Sequence, residues 1–157
     1  MSKTIYSDDL MFESGIYSLL GERLISEHFI IVDFDYKSLV IPSAIFDKRR
    51  EVIGFASNDI SYYKAKRVGI QIVLDKRSRI KDVLNFFLLR RRAAYYKLKN
   101  TLTLREKETL LLLTDGRSLE DVAEILGVKE NTIYTLRRNI LIKLKIKNRI
   151  EFIDFIN

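Results

Sequence analysis

The chain has no cysteine and a single histidine, His28, among its 157 residues. The first absence excludes disulfides, thiolate metal sites and cysteine nucleophiles together. The second leaves no basis for a histidine zinc site or a histidine general base, and His28, just before Phe29, reads as a partly buried structural residue. No apolar run is long enough to cross a bilayer. The early acids Asp8 and Asp9, with no basic stretch ahead of an apolar one, do not read as a secretory leader. The expectation is a soluble, cytoplasmic protein with no cofactor, no metal and no membrane partner. What is abundant is positive charge: 28 Lys and Arg against 21 Asp and Glu, a net +7. Seven of these cations and one acid, Glu130, fall between Lys129 and Arg149, while Arg90, Arg91, Arg92, Lys97 and Lys99 form a second acid-free group. Such concentration suits a surface that binds a polyanion.

The last third of the chain carries a periodic signal. Leu119, Val122, Ala123 and Leu126 stand at i, i+3, i+4 and i+7, one face of a short helix that Ser118 is suited to cap and Gly127 to end. Ile133, Leu136, Ile140 and Leu144 repeat the spacing on a longer helix, with Tyr134, Thr135, Arg137, Arg138 and Leu141 or Ile142 off the apolar stripe. Only Val128, Lys129 and Glu130 separate Gly127 from this second helix, so the join is a tight turn. Upstream, Thr103 and Glu106 fit a capping box for a helix running to about Thr114, with Asp115-Gly116 as its stop. Three helices so arranged, the last one cationic, match a helix-turn-helix that lays its final helix into a DNA major groove.

The string itself is more specific than the geometry. Leu102-Thr-x-Arg-Glu, Gly116-x-Ser, the Val122-Ala-x-x-Leu helix, Asn131-Thr-Ile, Asn139-Ile, Lys143-Leu and Asn148-Arg-x-Glu together resemble the LuxR/FixJ/NarL-type DNA-binding domain. The resemblance places base-reading side chains at Tyr134, Thr135 and Arg138, and phosphate contacts at Lys129, Asn131, Thr132, Arg137 and Lys143. It also implies a terminal dimer helix after Lys147, where Ile150, Phe152, Ile153, Phe155 and Ile156 serve either a partner or the three-helix core. The sequence departs from the family pattern at Leu136, where His is common, and at Lys129, where Ser is common. Leu136 makes the seam more apolar, and Lys129 exchanges a cap for a cation.

From Thr4 to about Leu89, short apolar runs (Thr4 to Ser7, Phe29 to Val32, Val52 to Ala56, Ile70 to Leu74) alternate with helix-compatible stretches (Leu10 to Leu20, Ser38 to Lys48, Ile60 to Val68, and Ile80 onward). Alternation of this kind predicts right-handed crossover units around a small parallel sheet of at least four strands. Ser7-Asp8-Asp9-Leu10, Ile30-Ile-Val-Asp33 and the segment from Gly69 to Lys76 resemble parts of a response-regulator receiver domain. The resemblance implies a pocket in which Asp8, Asp33 and Lys76 would handle a phosphoryl group, with Mg²⁺ held by paired acids. The pattern is damaged. Ser7 replaces the first acid, Ala56 takes the hydroxyl position unless Ser57 slips into it, and about one strand and helix are missing, since only Gly21 to His28 separates the first helix from the Asp33 strand. The alternative for Asp8, Asp33 and Lys76 is a surface salt bridge at the carboxyl end of the sheet.

The expected organisation is therefore a degenerate, flavodoxin-like receiver domain over 1–89, a basic and helical linker over 90–101, and a four-helix, LuxR-type DNA-binding domain over 102–157. The expected activity is that of a sequence-specific transcription regulator on double-stranded DNA, phosphorylation-independent, acting as a homodimer or paired with another regulator, and not an enzyme. Two alternatives stand beside it: an auxiliary regulator that works by heterodimerising with another transcription factor, and a phosphorylated two-component response regulator.

Overall fold

The computed structural model describes residues 3–36, 41–46, 49–148 and 150–152. The chain divides into two compact units, Met1–Leu98 and Lys99–Asn157.

The first unit is built on four parallel strands, β1 (Ile5–Tyr6), β2 (Phe29–Asp33), β3 (Glu51–Ala56) and β4 (Ile72–Asp75), in the spatial order β1-β2-β3-β4. The central strand β2 is buried along its whole length, as expected where both faces of a parallel sheet are covered. On one face α1 (Leu10–Leu20), α2 (Glu22–His28) and α4 (Ile80–Leu89) bring Ile16, Ile25, Val83, Phe86 and Phe87 onto Ile5, Ile31, Ile53, Phe55 and Leu74. On the other, a short 3-10 turn (Ser43–Phe46) and α3 (Asp59–Arg67) bring Ile45 and Ala65 onto Ile30, Val32 and Val73. Gly54 in β3 is dictated by this packing, because a Cβ there would stand 3.1 Å from Phe34 and 3.2 Å from Ile70.

Two features correct the sequence-based expectation. The strands run across the sheet in chain order, so every crossover steps the same way, yet α1 and α2 lie on one face and α3 on the other. Crossovers that step in one direction over opposite faces have opposite hands, so those from β1 to β2 and from β3 to β4 are not both right-handed. This arrangement is what remains when an edge strand beyond β1, with its following helix, is removed from a doubly wound sheet. The shortness of the 21–28 segment pointed to such a loss, although that segment is itself the helix α2.

The second correction concerns the junction. The basic run after α4 is not a helical extension: α4 stops at Leu89, Arg90 takes a left-handed conformation (φ 56°), and the chain turns back over the sheet. The Asp75 amide donates to the Ala94 carbonyl (2.7 Å), the Tyr96 amide to Val73 (2.9 Å), and Leu74 pairs with Tyr95 antiparallel. Ala94 and Tyr96 are buried, and the Tyr96 hydroxyl donates to Asp59 Oδ1 at 2.7 Å. The pull of this buried edge outweighed the helix propensity of the run. Residues 90–98 therefore complete the first unit and do not tether it. His28, expected partly buried, is exposed. Of the stretch from Ser38 to Lys48, only 41–46 lie within the described residues.

The second unit contains α5 (Leu104–Thr114), α6 (Leu119–Leu126) and α7 (Glu130–Lys143), and residues 150–152 enter a further helical turn. The capping box of Thr103 and Glu106 forms as read, Ser118 caps α6 through the Asp121 amide, and Gly127 ends α6 in the left-handed conformation. Val122, Ala123, Ile133, Ile140 and Leu144 are buried in the core. Phe152 is buried and Ile150 is exposed; the rest of the expected dimer segment, Ile153, Phe155 and Ile156, lies outside the described residues.

Candidate nucleic-acid interface

The apolar seam of α7 fixes which side chains point away from the unit. Ile133, Ile140 and Leu144 are buried, and at 3.6 residues per turn the direction opposite them is occupied by Asn131, Thr135 and Arg138, each within about 40° of it. All three are exposed. Tyr134 lies about 80° to one side, and Arg137 about 140° from that direction, close to the seam. Tyr134 is exposed and Arg137 only partly so, with its guanidinium over the Tyr134 ring at 5.3 Å from the centroid. Lys129 and Thr132 are exposed at the start of the helix. Lys129 occupies the cap position at the positive end of the helix dipole without a side-chain cap bond, and its carbonyl accepts the Thr132 amide at 2.9 Å.

The side chains differ in what already engages them. The Thr135 hydroxyl donates to the Asn131 carbonyl at 3.1 Å, so its methyl is the part left to face outward. Among the described residues, neither the Asn131 amide nor the Arg138 guanidinium has a partner. Lys143 is different: its ammonium donates to Glu106 Oε2 at 2.7 Å, and this carboxylate, almost wholly buried, also accepts the Thr103 amide. Burial pushes the Glu106 carboxyl up, but the hydrogen bonds from Lys143 and Thr103 outweigh it and hold the group below the usual glutamate range. Lys143 thus clamps the end of α7 to the start of α5. The Glu106–Lys143 pair had no sequence signal beyond a capping residue and a distant cation.

In the first unit, the structure gathers Asp33 and Lys76 with Ser7 and Asp9, not with Asp8. Asp33 is fully buried and accepts from Ser7 Oγ (2.6 Å) and Lys76 Nζ (2.9 Å) on Oδ2, and from the Asp35 amide (3.0 Å) on Oδ1. Lys76 also reaches Asp9 Oδ2 at 3.1 Å, while Asp9 caps α1 through the Phe12 amide. Asp8 is exposed. The register of the cap decides this: the residue that caps α1 is Asp9, and Asp8 is left exposed. The result is a partly buried ion pair on a fully buried carboxylate, and not the surface salt bridge that the sequence left open. Burial works against the Lys76 ammonium, but its two carboxylate partners win and raise its pKa; the Phe12 amide, followed by Lys76, lowers that of Asp9. Ala56 supplies no hydroxyl, and the Ser57 backbone amide is turned to Asp35 Oδ1 at 3.2 Å. These residues do not fit a divalent cation. A lysine ammonium already lies between the two carboxylates, a hydroxyl stands at the first acid position, and no group of three or more His, Cys, Asp and Glu side chains among the described residues could hold a metal.

Comparison with known proteins meets this geometry in the second unit. Residues 100–156 match the family of bacterial regulatory proteins described as luxR, or GerE. The C-terminal unit is a luxR-family domain. The transcriptional regulatory protein DesR of Bacillus subtilis is 45% identical over 58 residues, covering 37% of this chain and 29% of DesR. The response regulatory protein YgeK of Escherichia coli is 40% identical over 58 residues, covering 37% of this chain and 40% of YgeK. The match thus spans well under two thirds of either relative. Over nearly the whole chain, the structure is similar to RcsB of Salmonella enterica serovar Typhimurium bound to promoter rprA in the presence of phosphomimetic BeF3-, with a TM-score of 0.48, 14% identity, and coverage of 98% of this chain and 96% of that one. It is also similar to full-length FixJ of B. japonicum, with a TM-score of 0.35, 13% identity, and coverage of 96% and 93%. At these scores, the α/β character of the first unit rests on its own strand order and pairing. Within the luxR-family unit, α7 is the helix of the expected base-reading residues, and its outermost face is polar from Asn131 to Arg138. Among the described residues of both units, no helix is long and apolar enough to cross a membrane.

Proposed function

We propose that the chain is a sequence-specific DNA-binding transcription regulator whose luxR-family unit inserts α7 into the major groove of double-stranded DNA. The observation that carries this reading is the outer face of α7, where Thr135 and Arg138, whose guanidinium has no partner among the described residues, stand opposite a buried apolar seam. An arginine there reaches the acceptor edge of guanine, and a threonine methyl packs on thymine. Lys129, Thr132 and Arg137 flank the face and set register on phosphates. Regulation is independent of phosphorylation, because Asp33, the acid placed like a phosphoacceptor among the described residues, is enclosed by Ser7, Lys76 and the Asp35 amide. The first unit then acts as a partner-selecting module, and the working species is a homodimer or a pair with another regulator in the cytoplasm.

The test is selection of fragmented genomic DNA by the purified chain beside the Thr135→Ala/Arg138→Ala double variant, at two salt concentrations. A shared motif that the double variant loses supports direct reading by α7. Weak, salt-sensitive binding that is equal in both proteins and enriches no motif overturns it in favour of an auxiliary subunit that acts through a partner's DNA contacts.

A further inference from the structure

We propose that Asn131 is a base-reading residue specific for adenine, in place of the phosphate contact that sequence resemblance suggested; the inference rests on the groove-insertion reading above. Asn131, Thr135 and Arg138 stand at i, i+4 and i+7, so they form one continuous stripe on the side of α7 away from Ile133 and Ile140. The stripe starts in the first turn, and Asn131 and Thr135 fall in the first half of the helix, the part that meets base edges when a recognition helix enters a major groove. Further along the same direction comes Ile142, exposed and apolar, which ends the polar stripe. A side chain that touched only phosphate would stand toward the flanks, as Arg137 does, and not at the centre of the outward face.

The chemistry of the side chain agrees with its position. An asparagine amide carries a donor and an acceptor side by side, which match adenine N7 and the N6 amino group in the major groove; no other base presents that pair in that order. The amide is free to do so, since it has no partner among the described residues. Its backbone carbonyl is occupied by the Thr135 hydroxyl at 3.1 Å, which fixes the two residues relative to each other and leaves the Thr135 methyl outward. Asn131 and Thr135 therefore offer an amide and a methyl one helical turn apart, complementary to an adenine and a nearby thymine methyl. The amide is neutral, so its contribution is to sequence preference and not to the salt dependence of binding.

The test is selection from random-sequence duplex DNA by the full chain and by Asn131→Ala, followed by affinities on the selected site and on single-base variants of it. The expected result is a motif containing an adenine that becomes degenerate in Asn131→Ala while the other positions persist. Replacing that adenine should weaken wild-type binding on the order of ten- to a hundredfold and leave the variant indifferent. Unfolding by far-UV circular dichroism should coincide for the two proteins, since the amide holds nothing within the fold. Loss of affinity that is equal on every sequence, or an unchanged motif at unchanged affinity, overturns the assignment of Asn131 alone. A wild-type chain that enriches no motif overturns both this assignment and the reading on which it rests.

Discussion

Replacing Lys143 by methionine separates two roles that one cation could play. In the structure its ammonium is 2.7 Å from the Glu106 carboxylate, whose side chain is 4% exposed, while the lysine itself is 32% exposed. Removing one partner of a fully buried pair costs about 3–5 kcal/mol. Here the lysine is partly hydrated and Glu106 keeps the Thr103 amide, so the cost falls toward that of a charged hydrogen bond, about 2 kcal/mol. That is roughly a thirtyfold rise in the population of the open state. Hydrogen exchange read by mass spectrometry on peptides spanning 104–143 resolves the luxR-family unit from the first and should show such an increase. Glu106→Gln retains a capping acceptor and releases the lysine to water, and should cost about 1 kcal/mol; in the double variant the two losses should not add. The pH dependence has a definite sign. Glu106 titrates below its usual range when folded, so its contribution is complete above that range and is lost as pH falls through the lower folded value. Lys143→Met should diminish this acid-side loss. Unchanged protection in 104–143, together with a uniform fall in DNA affinity and a salt dependence weaker by about one ion, would refute the clamp and make Lys143 a phosphate ligand.

Three further outcomes follow from the described contacts. Lys76→Met strands the buried Asp33 carboxylate and should destabilise the first unit by about 3 kcal/mol in urea unfolding, with Asp33→Asn in the same chain recovering most of it; incubation with a small phosphoryl donor should leave the wild-type mass unchanged. Gly54→Ala should cost about 1–3 kcal/mol by the same measurement, since the new methyl meets Phe34 and Ile70 in a filled core. Lys129→Ala should weaken binding to all DNA sequences alike and lower the slope of log affinity against log salt by about 1.

The luxR-family unit was legible because its signals are local. Capping residues at Thr103 and Ser118, a left-handed glycine at Gly127 and an i, i+3, i+4, i+7 seam each specify structure within a few residues, and all are found in place. The four strands and the helix from Leu10 to Leu20 were legible for the same reason. What escaped depends on distant residues. The pairing of 94–96 with β4 is invisible in a run whose own propensity is helical, and the choice of Asp9 over Asp8 turns on where one cap falls. The opposite hands of two crossovers follow from which face each helix covers, a property of the whole sheet. Within the interface, periodicity separated the seam from the exposed face, but the engagement of Lys143 by Glu106 and the lack of a partner for the Asn131 amide among the described residues needed the side chains in three dimensions.

The return of residues 94–96 along β4 also has a consequence for how the protein is made. Until Tyr96 has left the ribosome, β4 presents a row of unpaired amides and carbonyls, a template for any other extended chain. The first unit therefore finishes folding only after translation has passed the point where its last helix ends. A product stopped or clipped at Leu89 would keep four strands and every one of the unit's helices and still be prone to aggregate, because its sheet would have lost the strip that closes it.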